Sequence, residues 1–170
     1  MTIAPIRRSV KVKAPPQRAF ELFTRDIGRW WSKGSTIGAK PHVDIVIEPR
    51  AQGRWFERDE DGVECQWGKV LAWEPPGRLL LGWQLNSAFR YDPDMLTEVE
   101  LTFEPAPDGG TMVTLEHRNL EQFGDAAQRV AEQVGGGWPR HLKEYAEFVD
   151  AGEAPPSRPD PIRTPSRRAP

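Results

Sequence analysis

The stretch "WPRHLKEYAEFVD", residues 138–150, is the strongest helix pattern in the chain. Its apolar side chains recur at i, i+4, i+7, i+8 and i+11, which places them on one face of a helix. They are Trp138, Leu142, Tyr145, Ala146 and Val149. Charged residues occupy the opposite face. A long helix with one apolar stripe must be buried against another element, so the rest of the chain has to supply a broad apolar surface.

A weaker helical stretch, "GDAAQRVAEQV", precedes this segment at residues 124–134. The glycines Gly135 to Gly137 separate the two stretches, and Pro139 is a residue that suits the first turn of a helix. The sequence therefore predicts a hinge at the glycines and a helix that begins near Pro139.

Further upstream, six strand-like segments follow one another. They are "HVDIVIEP" (42–49), "GRWFERD" (53–59), "VECQWGKVLAWEP" (63–75), "RLLLGWQL" (78–85), "LTEVELTFEP" (96–105) and "GTMVTLEHR" (110–118). Short turns at "DEDG", "EPPG" and "APDGG" predict hairpins, and hence an antiparallel meander. One longer connection, residues 86–94, interrupts it. Gly68 lies inside a strand and predicts a bulge or a sharp bend.

The N-terminal part adds a strand over residues 5–14 and a helix within "APPQRAFELFT", residues 14–24. A short helix over Ile27–Trp31 comes next. Its spacing puts Trp30 and Trp31 beside Ile27 on one face, and we expect one ring to pack inward while the other covers the rim of the core. The predicted order is one strand, two small helices, six strands and one long helix, an α+β architecture.

Composition excludes several classes of protein. The formal net charge of −2 over 170 residues does not fit a nucleic-acid protein or a polybasic membrane binder. Cys65 is the single cysteine, so neither an internal disulfide nor a cysteine metal site is expected. The three histidines lack metal-ligand spacing, and no apolar run is long enough for a membrane span. We expect a cytoplasmic protein without a metal or another cofactor.

A compositional boundary falls at residue 151. The segment "AGEAPPSRPDPIRTPSRRAP", residues 151–170, has six prolines and four arginines against two acidic residues. It is too poor in large apolar side chains to offset the entropy of ordering. The sequence predicts a domain over residues 1–150, with a charge of −4, and a disordered tail over residues 151–170, with a charge of +2.

Candidates for polar chemistry are few. His117 ends the last strand, and the register that buries Val113 and Leu115 points it inward. It is the best candidate for a polar group in an interior pocket, although the pattern favours a histidine that is simply hydrogen-bonded at the end of a strand. His141 lies at the edge of the helical stripe and is expected to be partly buried. Glu64 and Glu116 are weaker candidates, and no catalytic residue is predicted.

The aromatic residues indicate an interior rich in large rings. Trp67, Trp73 and Trp83 lie on adjacent predicted strands. Such an interior suits an apolar or aromatic small molecule, although a filled core without a ligand remains an alternative. The candidate ligand-cavity residues are Trp31, Trp67, Trp83, Leu101, Phe103, Leu115, His117, Trp138, Leu142 and Tyr145.

Four ordered segments carry a resemblance to a known family. They are "APPQRAFELFTRDIGRWW" (14–31), "EPRAQGRWFERDEDGVECQWGKVLAWEPPGRLLLGWQ" (48–84), "VELTFEPAPDGGTMVTLEHRNL" (99–120) and "GWPRHLKEYAEFV" (137–149). Together they resemble the START-like helix-grip superfamily (SRPBCC), and most closely single domains similar to the activator of heat-shock protein 90 ATPase. The resemblance implies a curved antiparallel sheet of about seven strands around the C-terminal helix, with a hydrophobic cavity between them. The family's glycine pair after "EPR" is Gln52-Gly53 here.

Three functions follow as hypotheses. The first is non-catalytic binding of a small hydrophobic or aromatic ligand. The second, implied by the resemblance, is a co-chaperone-like role in a stress response with a chaperone ATPase as partner. The third is an enzyme similar to polyketide cyclases and aromatases. Neither nucleic acid nor a membrane is an expected partner.

Overall fold

The computed structural model describes residues 2–152, so the predicted tail lies almost entirely outside the described residues. Within the described residues the sheet has seven antiparallel strands in the order β1-β7-β6-β5-β4-β3-β2. The strands are β1 (Ile6–Val12), β2 (His42–Ile47), β3 (Arg54–Asp59), β4 (Glu64–Glu74), β5 (Arg78–Trp83), β6 (Thr97–Pro105) and β7 (Thr111–Arg118). Two short helices, α1 (Pro16–Thr24) and α2 (Ile27–Trp30), connect the two edge strands. The predicted α+β helix-grip fold is confirmed.

The long helix α3 runs without a break from Ala127 to Gly152, after a 3-10 helix over Leu120–Ala126. The predicted hinge at Gly135–Gly137 and the predicted helix start at Pro139 are therefore wrong. Pro139 has no N–H for the carbonyl oxygen of Gly135, four residues earlier. The guanidinium of Arg8 on β1 donates to that oxygen instead, over 3.2 Å. A side chain from the sheet thus replaces the missing helical hydrogen bond.

The sheet bends at Gly68, as predicted. Trp55 pairs with Gly68 while Phe56 pairs with Gln66, so the register between β3 and β4 skips Trp67. A Cβ atom at Gly68 would lie 1.8 Å from the carbonyl oxygen of Gly82 on β5. Only glycine allows this close approach of two backbones.

Gln52 stands at the first position of the family's glycine pair and takes the left-handed conformation, with φ of 69°. At the second position, a Cβ on Gly53 would lie 2.8 Å from the Glu48 carbonyl oxygen. Both positions therefore favour glycine, the first for its backbone conformation and the second for lack of space.

The core fills the space between sheet and α3 at the end where α1 and α2 pack. The hydroxyl of Tyr145 donates to the carbonyl oxygen of Ala19 over 2.7 Å, which ties α3 to α1. The Tyr145 ring lies 5.1 Å from Phe23 and 5.2 Å from Trp30, centre to centre. No helix within residues 2–152 is both long and apolar enough to span a bilayer.

Candidate functional site

A partly open pocket of about 200 Å³ lies at the opposite end of the interior, between α3, the loop after α2 and the ends of β4 and β5. Six of its thirteen lining residues carry aromatic rings, and polar side chains make up part of the rest. The lining residues are Trp31, Ser35, Thr36, Ile37, Trp67, Trp83, Phe89, Gln133, Val134, Gly137, Trp138, Arg140 and His141. The volume exceeds that of a cavity of about 150 Å³ that holds benzene, so the pocket has room for one or two fused rings.

The ten predicted ligand residues divide between this pocket and the core. Trp31, Trp67, Trp83 and Trp138 line the pocket. Leu101, Phe103, Leu115 and Tyr145 are buried in the core cluster and do not line the pocket. Leu142 is buried as well and contributes to a shallow groove between α3 and β1. The sequence pattern identified which faces are inward but not which inward positions are left uncovered.

Four of the chain's seven tryptophans, Trp31, Trp67, Trp83 and Trp138, pack on one another as a tryptophan cluster in the pocket wall. Ring centres are 5.5 Å apart between Trp31 and Trp67, and 5.5 Å apart between Trp67 and Trp83. The distances are 5.8 Å from Trp83 to Trp138 and 5.9 Å from Trp138 back to Trp31. All four pairs meet edge to face, the arrangement that aromatic quadrupoles favour. Each ring therefore holds its neighbours in place.

Trp30 and Trp31 have different roles because α2 ends between them. Trp30 is the last helical residue, and its indole N–H donates to the carbonyl oxygen of Leu22 inside the core. Trp31 takes an extended conformation, with ψ of 132°, which turns its ring toward α3. There it stacks on His141, with ring centres 3.9 Å apart and an interplanar angle of 8°. The helix end thus separates a core tryptophan from a pocket tryptophan.

His117 is fully buried but does not line the pocket. Its Nδ1 accepts a hydrogen bond from Trp138 Nε1 over 3.1 Å, and its Nε2 lies 2.9 Å from Thr97 Oγ1. Burial lowers the pKa of His117 to about 3, so the ring is neutral at pH 7. Both ring nitrogens are occupied by the protein. The structure therefore makes His117 a support for Trp138, and the alternative of a hydrogen-bonded histidine is the one it favours.

His141 is buried, with 7% of its surface exposed, so the expectation of partial burial is wrong. The reason is the stacked ring of Trp31, which covers one face of the imidazole. Its Nε2 lies 3.4 Å from Ser35 Oγ, and Arg140 Nη2 donates to the same hydroxyl oxygen over 3.0 Å. Burial first, and then the charge of Arg140, lowers the pKa of His141 to about 4. The polar mouth of the pocket thus consists of a neutral imidazole, a hydroxyl and a guanidinium.

Glu57 holds the loop after α2 by hydrogen bonds, a role that the sequence analysis did not predict. It shares the inner face of β3 with Trp55, and 1% of it is exposed. Its carboxylate accepts hydrogen bonds from the backbone N–H groups of Ile37 (2.9 Å) and Gly38 (3.0 Å) and from the hydroxyl of Thr36. It also accepts one from Trp67 Nε1 over 2.9 Å. A charged residue in register with an inward tryptophan is the signal that identifies such a position.

One indole in the wall has an unused donor. Trp83 is 5% exposed, and its Nε1 is buried without a hydrogen-bond acceptor among the described residues. The N–H groups of Trp31, Trp67 and Trp138 all have acceptors. A buried donor without a partner is costly. Trp83 Nε1 and His141 Nδ1 are thus buried atoms of pocket-lining residues without a hydrogen-bond partner among the described residues.

The two predicted carboxylate candidates lie on the outer surface. Glu64 pairs with Arg54 over 3.0 Å, and Glu116 pairs with Arg7 over 2.9 Å. Both are absent from the pocket wall, so they are not pocket groups. Within residues 2–152, no group of three His, Cys, Asp or Glu side chains could hold a metal ion.

Comparison with known proteins places this geometry in context. A curated relative, trans-aconitate 2-methyltransferase from Afipia carboxidovorans, is 26% identical over 150 residues. That match covers 88% of this chain but 52% of the relative, so the chain spans about half the length of that protein.

Solved structures match over nearly their full lengths. An anthrahydroquino-gamma-pyrone synthase, Txn09 in complex with SUM, is 34% identical, with a TM-score of 0.63 over 87% of this chain and 98% of that one. The self-sacrificing resistance protein CalC from Micromonospora echinospora is 28% identical, with a TM-score of 0.64 over 87% and 95%.

A third structure, the Aha1 dimer from Colwellia psychrerythraea, shares the fold at 15% identity and a TM-score of 0.62, over 89% of this chain and all of that one. The family model of activator of Hsp90 ATPase homolog 1-like proteins matches residues 13–150. The predicted resemblance is confirmed, and the chain belongs to the activator of Hsp90 ATPase homolog 1-like family, with the START-like helix-grip fold.

Proposed function

We propose that the protein binds a small aromatic molecule in the tryptophan-lined pocket. The observation that carries the proposal is the cluster of Trp31, Trp67, Trp83 and Trp138 in the wall of a partly open pocket of about 200 Å³. Flat aromatic faces at fixed positions suit a planar ligand.

The similarity to Txn09, a synthase of an anthrahydroquino-gamma-pyrone, supports an aromatic ligand and also favours a second candidate function. In that alternative the protein is a cyclase-like enzyme, and the neutral imidazole of His141 in the pocket wall accepts a proton from the substrate. The co-chaperone hypothesis, with a chaperone ATPase as partner, rests on family membership alone and stays a prediction.

Two neighbouring glycines of α3 offer a matched test of the binding pocket. Gly137 lines the pocket, and a Cβ built there meets no atom within 4 Å. Gly136 has equally open surroundings but does not line the pocket. Gly137→Leu should fill the pocket, whereas Gly136→Leu should not. Both changes should stabilise the helix by about 0.5–1 kcal/mol, because leucine is a better helix former than glycine.

The measurement is titration with N-phenyl-1-naphthylamine, a neutral dye whose emission rises in apolar sites. We expect saturable binding to the wild type and to Gly136→Leu, and at least about tenfold weaker binding to Gly137→Leu, the loss of about 1.4 kcal/mol. Absence of saturable binding to the wild type, or equal affinities of the two variants, would refute the pocket as the ligand site.

A further inference from the structure

The guanidinium at the pocket mouth has no carboxylate partner within residues 2–152. Arg140 lines the pocket, and its Nη2 donates a hydrogen bond to Ser35 Oγ over 3.0 Å. Other arginines of the described chain, such as Arg54, Arg78 and Arg118, are paired with glutamates. Arg140 is thus a cation held at the edge of an aromatic pocket with most of its five donors unused.

No acidic residue belongs to the pocket wall. The carboxylate of Glu57 already accepts four hydrogen bonds from the loop and from Trp67. The carboxylate of Glu144, four residues after Arg140 on α3, has Oε1 3.9 Å from His141 Nδ1 and makes no ion pair with Arg140. The mouth therefore presents positive charge to anything that enters.

The charge of Arg140 acts on the interior of the site. It is the second cause, after burial, of the lowered pKa of His141. Charge interactions of this kind are stronger where aromatic walls exclude water. The same positive charge of Arg140 would attract a ligand anion placed between Arg140 and the four pocket tryptophans.

We propose that the natural ligand is an aromatic carboxylate, with its rings inside the tryptophan pocket and its carboxylate on Arg140 and Ser35. The planar guanidinium fork matches the two oxygens of a carboxylate. The Ser35 hydroxyl accepts from Arg140, and with the ring hydrogen of His141 on Nε2 the hydroxyl hydrogen is available for the anion. The proposal rests on the proposed function, because it names the chemical class of ligand for that pocket.

The test compares two probes of nearly equal shape, 2-naphthoate and its neutral analogue 2-naphthamide, by calorimetric titration at pH 7. A charge-assisted hydrogen bond predicts that the wild type binds 2-naphthoate about tenfold more tightly than 2-naphthamide. Arg140→Gln should reduce this ratio to less than about twofold and leave the affinity for 2-naphthamide unchanged. Lys143→Gln is the control, since it removes an equal charge from an exposed position of the same helix, paired with Glu147.

The outcomes separate the two proposals. Equal affinities of the wild type for the two probes, or a preference that survives Arg140→Gln, would overturn the carboxylate assignment and leave the aromatic pocket standing. Loss of the preference in Lys143→Gln would also overturn it, because general electrostatics would then explain the effect. Failure of both probes to bind would count against the pocket itself.

Discussion

A single buried imidazole, His117, holds one wall of the pocket in position. An indole N–H can only donate, so the bond from Trp138 fixes His117 Nδ1 as the acceptor. The hydrogen of the neutral ring is then on Nε2, which donates to Thr97 Oγ1. Protonation of Nδ1 would break the bond to Trp138. The neutral state of His117 is therefore a requirement of the folded structure.

This requirement predicts that stability depends on pH above the range where carboxylates titrate. The pKa of His117 is about 3 when folded and about 6.5 when unfolded, so the unfolded state binds more protons between those values. The contribution of neutral His117 to the free energy of unfolding should be fully present above pH 6.5 and should decrease as the pH falls below that value. His117 alone should account for a loss of about 2 kcal/mol between pH 8 and pH 5.

Urea unfolding at pH 8 and at pH 5 measures this contribution. His42 and His141, whose pKa values burial also lowers, add to the loss in the wild type. His117→Gln should be less stable at pH 8 but should lose about 2 kcal/mol less than the wild type on acidification. The same pH dependence in both proteins would contradict a neutral, buried His117.

For single residues, the sequence predicts which way a side chain points better than it predicts which groups that side chain contacts. Alternation along β7 correctly puts His117 inside, next to Leu115. It does not show that Trp138 and Thr97 use both ring nitrogens, because those partners lie 21 and 20 residues away on other elements. The burial of His141 was not predicted for the same reason. It depends on stacking with Trp31, which directly follows the last helical residue of α2. Side-chain partners from distant elements leave no local pattern.

Helix α3 is continuous because tertiary contacts override local propensity. Three glycines and a proline within five residues favour a break. Packing of Val134, Trp138 and Leu142 in the core spans that region, and Arg8 supplies the hydrogen bond that Pro139 cannot. The absence of a side chain at Gly135 also matters, since a Cβ there would lie 3.3 Å from Ile6 Cδ1 on β1. Glycine at this position allows strand and helix to approach each other.

The replacement bond predicts non-additive effects of two substitutions. Arg8→Ala should destabilise the protein by about 1 kcal/mol, because it leaves the Gly135 carbonyl without its donor. In a Pro139→Ala background the N–H of the new residue can reach that oxygen, so Arg8→Ala should cost at least about 0.5 kcal/mol less. Denaturant unfolding of the four proteins completes the cycle. Arg7→Ala is the control, since Arg7 is exposed and pairs with Glu116.

Additive effects of Arg8→Ala and Pro139→Ala would show that Arg8 does not compensate for the proline. The sequence alone predicts both the helix face and the strand bounds to within a few residues. It could not predict the continuity of α3, because the compensating donor lies 127 residues away along the chain.

Across the whole molecule, the interior is divided into a filled end and an open end. Residues such as Leu101, Phe103 and Tyr145 fill the first, where α1 and α2 pack on α3. The tryptophan pocket lies at the open end, which is covered by a loop hydrogen-bonded to Glu57 and not by a helix. The sequence-based alternatives of a cavity and a filled core therefore each describe one end. The volume of an interior cavity depends on the conformation of the loops between elements, and the periodicity of apolar residues in the sequence does not predict that conformation.

The division into a domain over residues 1–150 and a tail stays a prediction, and the core indicates how to test it. The buried apolar cluster extends along the chain from Val12 to Val149, and the backbone N–H of Lys13 donates to Asp150 Oδ1 over 2.9 Å. A chain that ends at Gly152 retains all of these contacts. We expect its melting temperature to lie within about 2 °C of the full chain, since surface losses are usually below about 0.5 kcal/mol.

A chain that ends at Ala146 is the matched control, because it also loses the fully buried Val149 and the Asp150 contact. Burial of a valine side chain contributes about 1.5–3 kcal/mol, so this shorter chain should melt at least about 5 °C lower. Calorimetric scans of the three proteins give the comparison directly. A fall of many degrees already at the Gly152 truncation would mean that residues 153–170 contribute to the stability of the domain, and the boundary predicted from composition would then be wrong.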